Sequence, residues 1–352
     1  MGNRDTPTDG VEDYCIFLGH ALSQQGVDLK QVRVLSSDKG WTRALRELGL
    51  ASANWHEKWI LIQYTALAWS RRGFPFGVLR VAKLLNNRHI RCAVVFHESA
   101  RQRMRGRWID RIRGACQDAV IRSLYRRAAV AIFTVPLETI PWLPADDRKS
   151  VFVPIGANIP ERHGLRHSPD GTATKTVAIF GVSGAPHTAA ESETIAAIAR
   201  RAAQAVPNLR LVILGRGSLE AGKFLEPALR ANGVEVVAKG VLPAEEVAAE
   251  LEAATAFLFI RDTISLQRGS VLAAIACGLP IAGYRNGRIA PPLDQAGIEW
   301  ASLGDTDELA RCLVRLLTDS QRWAELRERN LQLQQNAFSW SRIARQYLAA
   351  LS

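Results

Sequence analysis

The second half of the chain is organised around the stretch Arg268-Gly269-Ser270-Val271-Leu272-Ala273-Ala274-Ile275-Ala276-Cys277-Gly278-Leu279-Pro280. It follows the apolar run Ala256 to Ile260, which predicts a buried strand. The small or apolar residues after Gly269 predict a helix packed tightly against that strand. Gly278 and Pro280 end the helix, and Pro280 to Gly283 predicts the next strand. This succession of strand, polar loop, buried helix and strand is typical of a parallel α/β sheet.

The start of this helix is the first candidate binding site. A helix start exposes unpaired N–H groups and carries a partial positive charge, so it favours an anion. Gly269 and Ser270 stand at the start, with Arg268 before them, and together they predict a phosphate ligand. The alternative is an ordinary crossover whose helix start binds nothing.

Length, composition and charge limit the classes of protein. A chain of 352 residues favours two domains over one core, and its hydrophobic content of 47% allows a large core. The formal charge of +11, largely from arginine, indicates an anionic partner such as a nucleotide or a phospholipid surface. We expect no nucleic-acid partner, because no nucleic-acid fold signature accompanies the charge. No apolar run could span a membrane and the N-terminus is polar, so we expect a cytoplasmic protein, at most peripheral on the inner face of the membrane.

We expect neither a metal site nor a disulfide framework. The five cysteines are dispersed, which favours reduced thiols. His163 and His167 have metal-like spacing but lie in a polar, linker-like stretch. Asp305-Thr306-Asp307 resembles a metal-binding motif but is placed where a helix N-cap belongs. No metal is needed if arginines and helix starts balance the charge of the ligand.

The alternation of strands and helices along the chain predicts the domain organisation. We expect an α/β fold with two doubly wound Rossmann-like domains that face each other across a cleft. A stretch rich in Pro, Gly, His and charge at 161–175 is the predicted linker between domains at 1–160 and 176–335. A last helix at 336–352 follows. The chain opens directly on a helical pattern, Tyr14 to Gln25, so we expect either that the true start lies upstream or that the first domain lacks its first strand.

Further elements are predicted from apolar periodicity. Strands in the first domain are predicted at Gln31 to Leu35, Trp59 to Tyr64, Cys92 to Phe96, Ala129 to Val135 and Val151 to Pro154. Strands in the second domain are predicted at Thr176 to Phe180, Leu209 to Leu214 and Val234 to Val237. The end of the chain is predicted to be helical at Asp305 to Leu317 and at Gln321 to Leu351.

Two further motifs lie at the carboxyl ends of predicted strands, where open α/β sheets bind ligands. Gly181-Val182-Ser183-Gly184 lies between a strand and a helix, and it predicts either a phosphate loop or a tight turn. His97 and Glu98 follow the strand Cys92 to Phe96. A histidine there could polarise a substrate oxygen, or it could be a structural residue.

Residues 101–127 hold a cluster of cations opposed by Asp110 and Asp118. A solvated helix face is one interpretation. The other is a surface for anionic lipid headgroups or for a phosphate-bearing acceptor, since Trp108 and Tyr125 are interleaved with the cations. The cluster consists of Arg101, Arg103, Arg105, Arg107, Arg111, Arg113, Arg122, Arg126 and Arg127.

Six segments, in this order, resemble the retaining family-4 glycosyltransferases, which have the GT-B fold. They are Asp9 to Tyr14, Phe96 to Glu98, Val153 to Asn158, Leu211 to Gly217, Ala273 to Pro280 and Phe338 to Trp340. The resemblance covers nearly the whole chain. It implies the two-domain fold described above, with a last helix that crosses back onto the first domain.

The resemblance also implies an activity, namely transfer of a sugar from a nucleotide-sugar to an acceptor hydroxyl with retention of configuration. It implies a glycan or lipid-linked acceptor of cell-envelope or exopolysaccharide synthesis, and no metal or other cofactor. His97 and Arg268 are the implied catalytic residues, and Asp9 and Glu98 lie on the acceptor side. The implied donor-binding residues are Gly10, Gly181, Ser183, Gly184, Arg216, Lys239, Ser265, Gly269, Ser270 and Val271.

The sequence departs from the family at two places. The family usually has two glutamates eight residues apart around the signature helix, and the chain has Ser265 and Ala273 there. Residues 181–193 contain no Lys or Arg for the donor diphosphate, so Arg268 and Arg216 are expected to supply that charge. Two alternatives therefore stay open: an inactive binding or scaffold protein of the same fold, and a sugar-nucleotide epimerase.

Overall fold

The computed structural model describes residues 10–70, 72–99, 108–160, 174–184 and 186–352. Two compact units make up the chain. The first contains Met1–Ile155 together with Trp340–Ser352, and the second contains Gly156–Ser339. The predicted linker at 161–175 lies almost wholly outside the described residues. Each unit is a parallel α/β fold with its own core, as the alternation of elements in the sequence predicts.

The first unit is built on a four-stranded parallel sheet in the order β1-β2-β3-β4. Its strands are β1 (Ile60–Tyr64), β2 (Cys92–Phe96), β3 (Val130–Phe133) and β4 (Ser150–Phe152). Its helices are α1 (Gly10–Ser23), α2 (Ser36–Lys39), α3 (Trp41–Ala51), α4 (Ala66–Trp69), α5 (Gly77–Asn86), α6 (Trp108–Arg127) and, from the end of the chain, α13 (Trp340–Leu351).

Alternate residues of β2 serve two separate cores. Val94 and Phe96 belong to the cluster that includes buried residues of α3, α5 and α6. Ala93 and Val95 belong to the cluster formed with α1 and α13. Because successive side chains of a strand point to opposite faces, a strand buried on both faces is apolar throughout, as β2 is. The predicted boundaries of β2 are confirmed.

The second unit has a six-stranded parallel sheet in the order β10-β9-β8-β5-β6-β7. Its strands are β5 (Lys175–Phe180), β6 (Leu209–Leu214), β7 (Glu235–Gly240), β8 (Ala256–Phe259), β9 (Ile281–Arg285) and β10 (Ile298–Ser302). Its helices are α7 (Thr188–Ala205), α8 (Ser218–Leu229), α9 (Ala244–Ala253), α10 (Gly269–Ala276), α11 (Thr306–Thr318) and α12 (Ser320–Leu333). Helices α7, α8 and α11 supply residues to one core cluster, whereas α10 packs against α9 and α12.

The predicted strand at Gln31 to Leu35 is wrong, because that segment pairs with no described strand. The alternating residues Val32, Arg33 and Val34 make other contacts. Val34 is buried in the core, Val32 is 44% exposed, and Arg33 pairs with Glu12 of α1. An alternating pattern stabilises a strand only where a neighbouring strand completes the hydrogen-bonded ladder.

The sequence analysis missed α8 and β10, as well as the one-turn helices α2 and α4, and it joined the last two helices into one. Helix α8 contains Gly222 and Pro227, residues that disfavour a helix interior. Strand β10 contains the charged residue Glu299, which is buried and bonded to two arginines of α11 and α12. The last predicted helix is interrupted by a wide π turn at Gln334–Phe338, after which α13 begins at Trp340.

Helix α10 ends as its sequence predicts, and the helix stop is tied to α12. Gly278 has a φ of +62°, which favours glycine, and a Cβ placed there would lie 2.7 Å from Leu331 Cδ2. Asn330 of α12 is fully buried. Its Nδ2 donates to Leu279 O at 2.8 Å, and its Oδ1 accepts from Gly297 N at 2.7 Å. One side chain therefore holds together the α10 stop and the start of β10.

No described helix is long and apolar enough to cross a membrane.

We predict that Asn330→Leu destabilises the second unit. The substitution leaves Leu279 O and Gly297 N buried without their side-chain partner, at a cost of roughly 2–4 kcal/mol in the free energy of unfolding. Urea unfolding followed by circular dichroism measures the loss. Asn232→Leu is the matched control because Asn232 is exposed. Equal midpoints for the two variants would contradict the assigned role of Asn330.

Candidate functional site

The start of α10 lies beyond the carboxyl end of β8, as predicted. Arg268 occupies the N-cap position, but its side chain does not cap the helix. Gly269 is exposed, and a Cβ built on it meets no atom within 4 Å. Val271, in contrast, is fully buried and its amide donates to Arg268 O at 3.0 Å. The open part of the predicted phosphate site therefore consists of Gly269 and Ser270, and Val271 presents neither its side chain nor its amide.

The Arg268 guanidinium is partly buried beside the strand end. It lies 5.9 Å from the centre of the Phe259 ring, and its Nη2 lies 3.7 Å from Oδ2 of the exposed Asp262. Burial lowers the pKa of Arg268, and the neighbouring positive charge of Arg261 lowers it further. A partly desolvated cation beside a second cation is stabilised by any anion that binds between them.

Arg261 is the site residue that the sequence analysis missed. It follows β8, and its Nη1 donates to Gly181 O at 2.9 Å. Its Nε lies 3.7 Å from Glu191 Oε1 on α7. The sequence held a usable signal, because Arg261 comes directly after the apolar run Ala256 to Ile260, at the ligand-binding edge of a parallel sheet.

The structure brings the Gly181 loop to the start of α10. Gly181 has a φ of +96°, and a Cβ placed on it would lie 3.9 Å from Ser270 Oγ and 3.8 Å from Arg261 Nη1. Gly184 is also open, since a Cβ there meets nothing within 4 Å. The predicted loop and the predicted helix start are thus parts of one location, with Arg261 and Arg268 beside them.

Ser183 already holds an anionic group of the chain itself. Glu191 Oε2 accepts from Ser183 N at 2.7 Å, and Glu191 Oε1 accepts from Ser183 Oγ at 2.6 Å. A backbone N–H and a hydroxyl are also the donors that a phosphate oxygen would use. The sequence analysis assigned Ser183 to the ligand, and the structure pairs it with Glu191 instead.

Four further residues of the second unit bear on the prediction of a donor site. Arg216 and Ser265 are both exposed, and Ser265 O accepts from Arg268 N at 3.0 Å. Lys239, at the edge strand β7, donates to Glu250 Oε1 of α9. Ala273, at the position where the family usually has its second glutamate, is buried. Lys239, which was predicted to bind the donor, therefore forms an ion pair with Glu250 of α9 in the structure.

In the first unit, His97 is fixed at the end of β2. Its backbone N donates to Tyr64 O at 3.1 Å, and its Nε2 lies 2.8 Å from Gln63 Oε1. Glu98 Oε2 accepts from Ala66 N at 3.0 Å. Glu98 thus satisfies an N–H at the start of α4, which is a structural contact for a residue predicted to bind the acceptor. Gly10 begins α1 and is exposed.

Asp9 lies outside the described residues. Among the described residues, no group of three or more His, Cys, Asp or Glu side chains could hold a metal ion. Asp305 caps α11, because its side chain accepts from Glu308 N, so the prediction of a helix cap there is confirmed. All five cysteines are free thiols.

Comparison with known proteins identifies the second unit. Residues 177–319 match the family model described as Glycosyl transferases group 1. These residues include the Gly181 loop, both arginines and α10. The matched segment of the second unit is a group 1 glycosyltransferase domain. For that domain, the match agrees with the glycosyltransferase resemblance found in the sequence.

Solved structures agree in fold at low sequence identity. HepE from Anabaena, solved with UDP and glucose, has a TM-score of 0.61 at 14% identity, over 99% of this chain and 97% of that one. A TarM variant from S. aureus, solved with UDP, has a TM-score of 0.55 at 14% identity, over 76% of this chain. The chain spans about half the length of that protein, 52%.

A putative UDP-N-acetylglucosamine 2-epimerase from Listeria monocytogenes also shares the fold. Its TM-score is 0.63 at 11% identity, over 100% of this chain and 94% of that one. No curated protein matches the chain. Because both glycosyltransferases and an epimerase have this fold, the activity of the chain must be argued from its group 1 domain and its own residues.

We predict that Glu191→Gln strengthens the binding of uridine diphosphate. The substitution removes a negative charge beside Arg261 and weakens the hold on Ser183, which we expect to raise the affinity about tenfold. Titration calorimetry at fixed salt measures the change. Glu193→Gln, at an exposed position of the same helix, should leave the affinity unaltered. Weaker binding by a folded Glu191→Gln protein would show that Glu191 organises the site instead of competing for it.

Proposed function

We propose that the protein transfers a sugar from a nucleoside diphosphate sugar to a hydroxyl of a glycan or lipid-linked acceptor, with retention of configuration. We place the reaction in the synthesis of a cell-envelope or exopolysaccharide glycan. The observation that carries the proposal is the pair Arg261 and Arg268 at the open start of α10, within the group 1 glycosyltransferase domain.

The chemistry explains why two cations belong there. When the sugar leaves, negative charge develops on the diphosphate, and preorganised positive groups stabilise that transition state. Arg261 and Arg268 would hold the phosphate oxygens, and the amides of Gly269 and Ser270 would add the positive end of α10. The positive charge for this step comes from the chain itself, so the proposal includes no metal ion.

The first unit is proposed to supply the groups that act on the sugar and the acceptor. His97 is the candidate to hydrogen-bond a reacting hydroxyl, since its ring can both donate and accept a proton near neutral pH. Gly10 is proposed for the donor, and Asp9 and Glu98 for the acceptor. Support for these assignments comes from the resemblance of their segments to the family.

UDP-sugars are the first donors to test. Similar structures contain UDP, as in the HepE complexes with UDP and with UDP-glucose. One TarM complex contains UDP together with alpha-GlcNAc-glycerol and Fondaparinux, a glycan. These are properties of those proteins, and they support a UDP-sugar and a glycan acceptor for this chain.

The second candidate function is binding without turnover. It is favoured by two observations at the donor side. Ala273 stands where the family usually has the glutamate that binds the nucleotide ribose, and Glu191 holds the Ser183 donors. A protein that binds the nucleotide but releases no product with any sugar donor would have this second function.

The surface of α6 supports a further part of the proposal, binding to an anionic membrane. Trp108 is 72% exposed and Ile112 is 45% exposed. Asp110 is paired with Arg113. The exposed residues of α6 are Trp108, Arg111, Ile112, Ala115, Ala119, Arg122, Arg126 and Arg127, whereas its two acids, Asp110 and Asp118, are half-buried. Apolar side chains between arginines suit the headgroup region of anionic lipids. The arginines at 101, 103, 105 and 107 lie outside the described residues.

We predict that Arg268→Ala and Arg261→Ala each weaken uridine diphosphate binding about ten- to a hundredfold, because each removes a charge-assisted contact to phosphate. Uridine, which lacks the phosphates, should lose far less. Titration calorimetry with both ligands separates the two effects. Arg201→Ala, which removes an exposed cation of α7 paired with Asp307, is the control. Unchanged diphosphate affinity in both site variants would sink the phosphate assignment.

We predict that the α6 face binds anionic vesicles in a salt-sensitive manner. Replacing Arg111, Arg122 and Arg126 with Gln should remove about 1 kcal/mol of attraction per charge. Flotation of the triple variant with phosphatidylglycerol vesicles measures the loss. A variant with Lys58, Arg80 and Lys83 replaced by Gln removes the same charge from exposed positions elsewhere in the first unit. Equal flotation of the two triple variants would dispose of a role for α6.

A further inference from the structure

A second carboxylate lies beside the arginine pair of the second unit. Asp262 follows Arg261 directly after β8, and its Oδ2 lies 3.7 Å from Arg268 Nη2. The Asp262 side chain is 86% exposed, so it has no part in the core. Glu191 lies 3.7 Å from Arg261 Nε. Each arginine of the candidate phosphate site therefore has a carboxylate of the chain close to it.

The backbone of Asp262 has an unusual conformation. Its φ is +46°, in the left-handed region where residues other than glycine are uncommon and where Asp and Asn occur more often than most. Residues held in this region cluster at ligand-binding sites. Glycine would adopt the same φ without strain. The loop after β8 thus carries an acidic side chain at a position where the backbone alone would favour glycine.

A carboxylate beside Arg268 opposes the binding of an anion. It repels phosphate oxygens and offsets part of the positive charge of the guanidinium. Burial and the charge of Arg261 lower the pKa of Arg268, whereas the charges of Asp262 and Glu191 raise it. The arginine pair is therefore set against two carboxylates, and the affinity of the site for a ligand depends on how much negative charge that ligand carries.

The donor and the product of the proposed reaction differ in charge. When the bond from the sugar carbon to the terminal phosphate oxygen breaks, its electron pair stays on that oxygen. The acceptor oxygen bonds to the sugar carbon and releases its proton. A terminal phosphate has a second pKa of about 6. Above pH 7, UDP therefore carries one more negative charge than a UDP-sugar, whose terminal phosphate is an ester.

We propose that Asp262 is a selectivity residue, whose carboxylate makes the site favour a nucleoside diphosphate sugar over the free nucleoside diphosphate. The carboxylate repels the extra charge of the product and so promotes its release after transfer. The inference rests on the proposed function for this kinetic consequence. The selectivity itself is a property of binding and is measured without turnover.

Titration calorimetry in low salt with EDTA tests the selectivity. The two probes are UDP and its terminal methyl ester, which has the charge of a UDP-sugar but no sugar. Asp262→Asn removes the charge and keeps a side chain that tolerates the left-handed backbone. At about pH 8, we expect the affinity for UDP to rise about threefold more than the affinity for the ester. Asp262→Gly, which also suits a positive φ, should give the same difference.

The matched control is Asp294→Asn, because Asp294 is an exposed aspartate of the same unit. This variant should bind both probes as the wild type does. If Asp262→Asn and Asp262→Gly change the two affinities by equal factors at about pH 8, or match Asp294→Asn, the inference is overturned.

A second pH and a second salt concentration show whether charge is the cause. At about pH 5 the terminal phosphate of UDP gains a proton while carboxylates are still largely ionised. The difference between the two probes should then largely disappear. It should also shrink in about 0.5 M salt, which screens exposed charges. A difference that persists at about pH 5 overturns the inference, because it would then come from a contact and not from charge.

Product inhibition measures the kinetic consequence. In Asp262→Asn, the inhibition constant of UDP should fall about threefold relative to the KM for the UDP-sugar, because the product is no longer repelled. The same ratio in Asp262→Asn and in the wild type overturns the role in product release.

The two proposals fail in different ways. If binding shows the selectivity but no sugar is transferred from any UDP-sugar, the proposed function is contradicted and the assignment of Asp262 is supported. If sugar is transferred while Asp262→Asn changes both affinities equally, the proposed function stands and the inference about Asp262 falls. If neither probe binds to the folded wild-type protein, both fall.

Discussion

Two guanidinium groups are held at one edge of the second sheet although like charges repel each other. Arg261 is fixed by the carbonyl of Gly181, and Arg268 lies against the ring of Phe259 at the start of α10. Glu191 lies close to Arg261 and is bonded to Ser183. Three segments contribute groups to this arrangement of charges: the Gly181 loop, the first turn of α7 and the start of α10. An anion that binds here changes the net charge of the site and therefore affects all three segments.

Much of the fold could be predicted because burial on both faces gives a strand an unambiguous composition. The runs at β2 and β8 are apolar throughout, and small residues allow α10 to lie close to its neighbours. The prediction failed where polarity and burial diverge. Strand β10 was not predicted because it contains the charged residue Glu299. The arginines that neutralise this charge are distant in sequence. The alternating segment at 31–35 failed for the opposite reason, since its pattern is right and its partner strand is lacking among the described residues.

The sequence predicted where the candidate site of the second unit lies, but it did not predict which side chains contact each other there. The carboxyl ends of parallel strands and the start of α10 follow from the order of elements along the chain. The hydrogen bonds between Glu191 and Ser183 depend on how the loop folds back onto the first turn of α7. The spacing of apolar residues in the sequence does not indicate this. The same holds for the contact of Lys239 with Glu250. Arg261 is different, because its position after β8 could have been read from the sequence.

The first unit draws residues from both ends of the chain. Trp340, Ile343 and Tyr347 of α13 are buried in the same core cluster as Tyr14 and Leu18 of α1. During synthesis, this face of the first sheet can be completed only after residues 340–352 have left the ribosome. By then every residue of the second unit has been made. The first unit therefore cannot complete its fold until the whole second unit has been made, although most of the first unit is translated earlier, and until then an apolar face of its sheet is available to chaperones or to aggregation.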